Sequence, residues 1–500
     1  MAIRSLRIRP QHVRPSALSV PALVATALAS FAGPMAGAAR AQPAASPVAD
    51  SVVAFVDVTV IPMDRERTLP AHTVVVRGDR IVAVGPSGRT PVPPGARRVA
   101  GTGKFLMPGL AEMHAHVPGG GTSAETIRDL MFLYVANGVT TIRGMLGAPS
   151  QLELRAQLAR GEILGPTLYV GAPSLNGNSA PDAAAAERLV RAHKAAGYDL
   201  LKLHPGLTVP AFDAIVRTGQ EVGITYAGHV SAEVGLERAL AGRQSTVDHL
   251  DGYLEGMAAD SIQARLRAGQ VGLANRASAE QLTMGELVRA ADARRLARLV
   301  SETRRQGVWN VPTVYLWESF FSPTPPESLA ALPEMRYASP VMVNGWVSQK
   351  RNRMAQDQQN GVTPEDASRY LALRRQVLKA LSDSGARLLM GTDSPQMFNV
   401  PGFALHREVA LMAAAGVPTF KVLESGTRNV AEYARADLKL PGDFGTVTVG
   451  NRADLVLLNA NPLTSVANLA ARAGVMVRGR WVPAEEIERG LAALAAKHAR

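Results

Sequence analysis

Cysteine is absent from this chain of 500 residues. The absence excludes disulfide bonds and thiolate metal sites, so any metal ion must be bound by histidine, carboxylate or modified lysine. Beyond residue 41 the chain also has no apolar run long enough to span a membrane, and no basic stripe interleaved with aromatic residues that would indicate a nucleic-acid partner. The formal net charge is +12, and setting aside the five arginines of residues 1–41 leaves +7.

The N-terminal segment has the pattern of an export signal. Four arginines precede a small, apolar stretch from Ala17 to Ala32, and Ala39-Arg-Ala41 offers a cleavage site of the small-residue type. An uncleaved anchor is the alternative, because residues 17–39 approach the ~20 residues that span a bilayer, although two prolines argue against it. We predict a signal peptide over residues 1–41 and an exported protein, periplasmic or extracellular, without membrane association after cleavage.

Two β-rich segments flank a central region in which strands and helices alternate. Residues 51–106 contain a hairpin that turns at Gly78-Asp79, and the second β-rich segment begins at Gly445. We predict that residues 51–106 and 440–483 fold together as one discontinuous β-sandwich. The alternation over residues 107–439 predicts an α/β fold, a TIM-like (β/α)8 barrel with catalytic groups at the carboxyl ends of its strands.

The alternating pattern gives approximate bounds for the barrel units. Segments 184–196, 211–221 and 232–240 have helical spacing, and residues 253–382 exceed what their crossovers require, which predicts an inserted loop near the mouth. Eight candidate strands end near His116, Arg143, Val170, His204, His229, His249, Tyr315 and Asp393.

Six residues that can bind metal stand at these strand ends: His114, His116, Lys202, His229, His249 and Asp393. His114 and His116 are two residues apart, so on a strand both imidazoles face the same side and can bind one ion together. Asp393 follows the eighth strand, adjacent to the first, and can bind the same ion and take a proton from the attacking water. His229 and His249 are placed to bind a second ion.

Lys202 lies in the apolar segment Leu200-Leu-Lys-Leu203, between these histidines. An ammonium is a poor ligand, but burial readily lowers the pKa of lysine, and the neutral amine can add carbon dioxide. The resulting carbamate can bridge two divalent ions, and two ions about 3.5–4 Å apart acidify a bridging water and polarise a carbonyl or phosphoryl oxygen. Zinc is the favoured metal for nitrogen and oxygen ligands, while manganese, cobalt and iron stay open.

Seven motifs combine these residues with their neighbours: Met107–His116, Gly138–Arg143, Leu201–Leu203, Gly228-His229, Val247–Leu250, Gly391–Ser394 and Gly450–Leu463. With them the chain resembles the metal-dependent amidohydrolase superfamily, in its imidazolonepropionase-like and Xaa-Pro dipeptidase-like branch, over roughly residues 51–483. The resemblance implies a TIM-like barrel with a composite sandwich, metal-assisted hydrolysis, carboxylated Lys202 as the bridge and Asp393 as the general base. Two departures concern the substrate pocket, since many relatives carry a histidine where Ala227 stands and an aspartate where Gly144 stands.

These observations predict that the chain hydrolyses an amide or peptide-like C–N bond of a small molecule, such as a dipeptide or an N-acyl amino acid. A metal-bridged hydroxide attacks the carbonyl carbon, and Asp393 passes the proton to the leaving nitrogen. A lactonase or phosphoesterase with the same ligands is the first alternative. A mononuclear deaminase or cyclic imidate hydrolase is less favoured because it needs no Lys202, and a non-catalytic barrel is expected to have lost a ligand, whereas none is missing.

Four further residues are candidates for substrate binding: Arg143, His204, Tyr226 and Tyr315. Arg143 can bind a substrate carboxylate, with a salt bridge inside the barrel as the alternative. His204 is two residues after Lys202 and should face the same side, while the two tyrosines either line the pocket or pack in the core. The number of copies in the assembly is left open, and a homo-oligomer is compatible with the sequence.

Overall fold

The structure is a computed structural model that describes residues 51–273 and 280–499. The predicted signal peptide, residues 1–41, lies outside the described residues. The strands are β1 (Val52–Val60), β2 (Leu69–Arg77), β3 (Arg80–Pro86), β4 (Arg97–Ala100), β5 (Phe105–Pro108), β6 (Leu110–Ala115), β7 (Val139–Gly144), β8 (Thr167–Val170), β9 (Leu200–Leu203), β10 (Thr225–Gly228), β11 (Thr246–Asp248), β12 (Val271–Leu273), β13 (Glu280–Leu282), β14 (Trp309–Val311), β15 (Leu455–Leu458), β16 (Arg472–Val477) and β17 (Arg480–Pro483).

The helices surround these strands, and no helix in the described ranges is long and apolar enough to cross a membrane. They are α1 (Ala124–Ala136), α2 (Pro149–Ala159), α3 (Ala183–Ala195), α4 (Val209–Val222), α5 (Gly235–Ala241), α6 (Tyr253–Met257), α7 (Asp260–Arg267), α8 (Met284–Ala290), α9 (Leu296–Gln306), α10 (Val314–Phe321), α11 (Pro326–Ala330), α12 (Pro340–Gln359), α13 (Pro364–Ser384), α14 (Phe403–Ala414), α15 (Thr419–Ser425), α16 (Arg428–Ala436) and α17 (Ala484–His498).

Strands from both ends of the described chain share one mixed sheet. Its order is β17-β16-β15-β5-β1-β2-β3, with β4 added to β1. β15 runs antiparallel to β5, and Leu455 stands opposite Pro108. The prediction of β structure at the start of the second segment is wrong, because residues 445–449 form no strand. The Val447 N–H instead donates to the Pro62 carbonyl at 3.0 Å.

The central strands are parallel and follow one another around a ring. β6, β7 and β8 form one parallel sheet, and β9, β10, β11 and β14 form another. Single β-bridges continue the ring: Gly171 pairs with Leu200, Asn310 with Leu388 and Ser394 with Ala115. Hydrogen bonds therefore lead from β6 through β14 and residues 388–394 back to β6, and we call this ring the strand circuit.

Alternation along the strands sorts side chains between the interior of the circuit and the surrounding helices. Leu200 and Ala227 pack with Trp309 in an inner cluster, whereas Leu201 and Tyr226 belong to the outer core. This is the period of two that a buried parallel strand requires. The three predicted helical segments correspond to α3, α4 and α5.

Residues 253–382 are mostly helical, so the additional residues of this segment form helices and not the predicted inserted loop. The segment contains α6 to α13, of which α12 has 20 residues and α13 has 21. The start of α13 is encoded locally: Thr363 forms a capping box with Asp366, and Pro364 occupies the first turn. Gly385 ends the helix in a left-handed conformation, φ 76°.

We expect Lys350→Met to lower the free energy of unfolding by about 1–3 kcal/mol. The buried Lys350 ammonium donates to the carbonyls of Ser319 (2.8 Å) and Ser322 (2.7 Å), so it joins α12 to the last turn of α10. Methionine keeps the length of the side chain but leaves these carbonyls without their donor. Urea unfolding measures the change, with Lys379→Met as the control, since that exposed lysine only pairs with Asp383 one helical turn away. Equal loss in both variants would contradict the prediction.

Candidate metal centre

The structure brings the six predicted ligand candidates to one end of the strand circuit. His114 lies in β6 and Lys202 in β9, while His229 and His249 directly follow β10 and β11. Asp393 lies in the segment that bridges back to β6, and its N–H donates to the His114 carbonyl at 2.8 Å. Parallel strands place these positions at their carboxyl ends, where α/β proteins assemble their sites.

Asp393 stands at the centre of the histidines. His116 Nε2 lies 2.5 Å from Asp393 Oδ1, and His114 Nε2 lies 3.4 Å from the same oxygen. His249 Nε2 is 3.9 Å from Asp393 Oδ2. The His249 ring is also 4.5 Å from the ring of His114 and 4.5 Å from that of His229, so the imidazoles form one continuous group.

Three members of this group have the chemistry and spacing of a divalent metal site. His114, His249 and Asp393 are buried, and one ligand atom from each lies within 4.8 Å of the others. Burial lowers the pKa of both histidines well below the usual range, and neighbouring positive groups add to the shift, so both imidazoles are neutral and can donate a lone pair. Within the described part of the chain, His249 Nε2 is buried without a hydrogen-bond partner, as a vacant ligand atom would be.

Lys202 is fully buried among these groups. Its Nζ lies 3.2 Å from His114 Nε2, and burial lowers the pKa of the amine to about 8. Gly228 makes room for it: a Cβ at this position, where φ is 121°, would come within 3.0 Å of Lys202 Cδ and 2.6 Å of the Leu203 carbonyl oxygen. The Gly228-His229 motif therefore combines a ligand candidate with the space that the lysine needs.

Comparison with known proteins now agrees with this geometry. The profile of the Amidohydrolase family matches residues 105–309 and 330–482, which is more than half of the chain. The chain belongs to the Amidohydrolase family. This amidohydrolase is thus a metal-dependent hydrolase that acts on carbon–nitrogen bonds, and the superfamily predicted from its motifs is confirmed. Its sequence matches none of the curated proteins.

Solved structures share the fold of this amidohydrolase at low identity. A proposed prolidase from Bifidobacterium longum is 22% identical with a TM-score of 0.63, over 90% of this chain and 100% of the other. A bottromycin amidohydrolase is 23% identical with a TM-score of 0.67, over 91% and 92%. A Xaa-Pro dipeptidase with bound methionine is 16% identical with a TM-score of 0.60, over 87% and 100%.

Three imidazoles of the centre have a polar side chain beside Nδ1. His114 Nδ1 lies 2.8 Å from Asp248 Oδ2, and His249 Nδ1 lies 2.8 Å from Thr313 Oγ1. His229 Nδ1 lies 2.8 Å from Asp251 Oδ2. Such partners orient a ring and leave Nε2 free for a ligand. None of these three partners was predicted from the sequence, although the acid directly before His249 indicates Asp248.

The backbone at the site adopts conformations that non-glycine residues rarely use. φ is 60° at His249, 45° at Thr313 and 65° at Asp393, all in the left-handed region. Such residues cost about 1–3 kcal/mol each and persist where the surroundings enforce them. Glu112 supplies part of that enforcement, since its buried carboxylate accepts from the N–H groups of His114 (2.9 Å) and Thr392 (2.8 Å).

Arg143 does not reach a substrate, which corrects the expectation that it binds a substrate carboxylate. Its side chain is fully buried inside the strand circuit. Nε donates to the Met113 carbonyl at 2.7 Å, one terminal nitrogen donates to the Tyr433 hydroxyl at 2.8 Å, and the other lies 3.3 Å from Asp248 Oδ2. The internal salt bridge, the alternative at the sequence level, is the observed contact.

The other three substrate candidates lie in different surroundings. Tyr226 points away from the site: its hydroxyl donates to the Gly242 carbonyl, and its ring packs edge-on against Phe212 at 6.4 Å, which corrects its predicted role. Tyr315 lines a separate cavity that contains none of the six ligand candidates. His204 remains beside the centre, because its ring stacks on His229 at 5.0 Å.

Proposed function

We propose that the protein is an exported, binuclear metal hydrolase that cleaves the amide bond of a dipeptide or an N-acyl amino acid. The observation that carries the proposal is the position of buried Lys202, whose Nζ lies 3.2 Å from His114 Nε2 within a set of four histidines and Asp393. As a carbamate, a lysine in this place can bridge two ions, whereas a single ion needs no bridge. Zinc is the metal we favour.

We also propose that the strand circuit is a (β/α)8 barrel and that the mixed sheet belongs to a composite β-sandwich. The return of hydrogen bonds from residues 388–394 to β6 supports the first proposal. The pairing of β15 with β5 supports the second.

The reaction needs the ions for electrostatics and the chain for positioning and proton transfer. When bound, two divalent ions acidify a water molecule and polarise the scissile carbonyl. Asp393 then accepts the proton of that water on a carboxylate oxygen and delivers it to the leaving nitrogen. His116 Nε2 lies 2.5 Å from Asp393 Oδ1, so these two side chains could hold the same ion. Trp317 packs edge-on against His249 at 6.0 Å and shields that side of the centre from water.

The substrate class rests on the amide-cleaving names of similar structures and on His204. The similar structures are those of a proposed prolidase, an amidohydrolase and a dipeptidase, which favours a C–N bond over a lactone or phosphoester. Ser174 Oγ lies 2.7 Å from His204 Nδ1 and fixes that ring beside His229. We propose that His204 contacts the substrate.

The proposed function is tested by measuring the metal content per chain and by screening substrates. We expect close to two ions per chain in the purified mature protein and turnover of dipeptides or N-acyl amino acids, with Asp393→Asn losing about 10²–10⁴-fold in kcat because the general base is gone. N-terminal sequencing of protein recovered from outside the cytoplasm should begin at Gln42. Asp437→Asn is the matched control, since this carboxylate accepts from Trp309 Nε1 at 3.0 Å away from the centre. One ion per chain, or turnover of lactones alone, would contradict the proposal.

A further inference from the structure

A cavity of about 570 Å³ lies beside helix α10, apart from the metal centre. Tyr315, Ser319 and Ser322 line it, at the spacing of one helical face. Trp317, two residues from Tyr315 and Ser319 and so on the opposite face, contacts His249 of the metal centre. Helix α10 therefore stands between the two, and none of the six ligand candidates lines this cavity.

The cavity has the form of a small-molecule site. Leu329, Phe403 and Leu411 supply apolar walls, while the α10 face supplies hydroxyl groups. Small-molecule sites are concave, mostly apolar and about 300–1,000 Å³ in volume, with a few convergent polar groups. Both the volume and the composition of this cavity fall within that description.

The charges around the cavity leave one positive group unbalanced. Glu334 pairs with Arg407 at 2.8 Å, and Glu318 pairs with Arg375. Arg472 also lines the cavity, but no carboxylate in the described ranges lies within ion-pair distance of it. Because Glu318 is neutralised by Arg375, which lies outside the cavity lining, Arg472 is the lining charge that has no opposite partner.

Arg472 is held by neutral acceptors only. It donates to the carbonyls of Ala136 (2.9 Å) and Leu469 (3.0 Å), to Asn137 Oδ1 (3.3 Å) and to His406 Nε2 (3.0 Å). Burial lowers the pKa of the guanidinium to about 10, and burial lowers the pKa of His406 to about 3, so that ring stays neutral and accepts. A buried charge is costly until an opposite charge reaches it.

Two hydroxyl groups at the same cavity also have unused hydrogen-bonding capacity. Tyr315 Oη and Ser319 Oγ are buried, and apart from each other neither has a hydrogen-bond partner in the part of the chain that the structure covers. Buried polar atoms are normally paired, and a contact between two hydroxyls leaves at least one O–H without an acceptor. The two hydroxyls can therefore turn to donate to an anionic oxygen in the cavity.

We propose that this cavity is a second small-molecule site, separate from the metal centre, and that it binds an organic carboxylate with an apolar body. Arg472 balances the charge of the carboxylate, and the hydroxyls of Tyr315 and Ser319 are further donors. The apolar walls cover the body of the ligand. The site does not depend on the reaction at the metal centre.

Calorimetric titration of the metal-loaded, full-length mature protein with decanoate tests the site. We expect wild-type protein to bind decanoate at least about 10-fold more tightly than decan-1-ol, which has the same apolar chain but no charge. Ala410→Phe should weaken decanoate at least about 10-fold, because Ala410 lines the cavity from an exposed position on α14 and the ring fills it. Ala414→Phe, exposed on the same helix and outside the cavity lining, is the matched control.

A third variant, Arg472→Met, removes the positive charge of the cavity and keeps its apolar walls. Arg472→Met should bind decanoate and decan-1-ol with similar affinity. Ala410→Phe removes no hydrogen bond, so it keeps the test decisive if Arg472→Met fails to fold. The proposal is overturned if wild-type protein binds no decanoate, if it binds decan-1-ol equally well, or if Ala410→Phe binds decanoate as wild type does, since the ligand then sits elsewhere, for instance at the metal centre.

Discussion

Lys202→Met is expected to bind one metal ion fewer than the wild type and to lose roughly 10³-fold in kcat/KM, because about 4 kcal/mol of charge stabilisation goes with the bridging ligand. Methionine keeps the length and apolar contacts of the buried side chain but offers no amine beside His114 Nε2, which lies 3.2 Å from Lys202 Nζ. Elemental analysis of the purified variant gives the metal content, and initial rates on a dipeptide panel give kcat/KM.

The matched control is Lys350→Met, which removes the other fully buried lysine whose pKa burial lowers to about 8. Lys350 contacts carbonyls at the end of α10, so this variant should keep two ions while being less stable. Metal-free wild-type protein that is reloaded with zinc should regain activity when bicarbonate is present. In buffer freed of carbon dioxide it should regain little activity. Full metal content and unchanged activity in Lys202→Met would remove this lysine from the reaction.

Asp248→Asn is expected to weaken metal binding about 10–100-fold, since it removes the negative charge behind the imidazole of His114. Asp248 Oδ2 lies 2.8 Å from His114 Nδ1 and 3.3 Å from Arg143, and all three side chains are fully buried. The substitution also leaves the Arg143 charge uncompensated, which costs about 3–5 kcal/mol of unfolding free energy. Competition with a chelator measures metal affinity, and urea unfolding of the metal-free protein measures stability.

The double variant Asp248→Asn/Arg143→Met distinguishes two roles of Asp248, namely orienting the imidazole of His114 and balancing the charge of Arg143. Removing both charges should recover most of the stability, while metal affinity stays about 10–100-fold below wild type. Asp199→Asn is the control, because this carboxylate pairs with Arg155 at 2.9 Å near the surface and should leave metal affinity unchanged. If affinity returns together with stability in the double variant, Asp248 acts only as the counter-charge of Arg143.

The ligand candidates could be predicted from the sequence because each lies near the carboxyl end of a short strand or bridging segment. Carboxyl ends of neighbouring parallel strands meet at one edge, so position along the strand was sufficient to bring His114, Lys202 and His249 together. The amidohydrolase motifs supported the same set, and the family is confirmed. The sheet that joins the two flanking segments could be predicted for a similar reason, since each segment alternates strand and turn.

Arg143 and Tyr226 were wrong as substrate candidates because their contacts depend on direction and depth within the circuit. Tyr226 is one residue before Ala227, which pairs with Lys202 and faces inward, so alternation turns the tyrosine towards the helices. Arg143 does face inward, but it ends below the metal centre against Tyr433 of α16, a residue far away in sequence. The helical content of residues 253–382 exceeds the expectation because Pro323, Pro325 and Pro326 indicate a loop only locally, whereas caps such as Thr363 start helices further along the chain.

The mixed sheet makes the order of synthesis matter for folding. β5 has β1 on one side and β15 on the other, and β15 is made only after the whole strand circuit has been translated. Until Leu455 can pair with Pro108, one edge of β5 has no partner strand. The entropy cost of closing the long loop between β5 and β15 is then not yet offset by their pairing. A growing chain therefore cannot complete this sheet until residues 455–458 have been synthesised, so the last step of folding is expected to follow the translation of almost the whole chain.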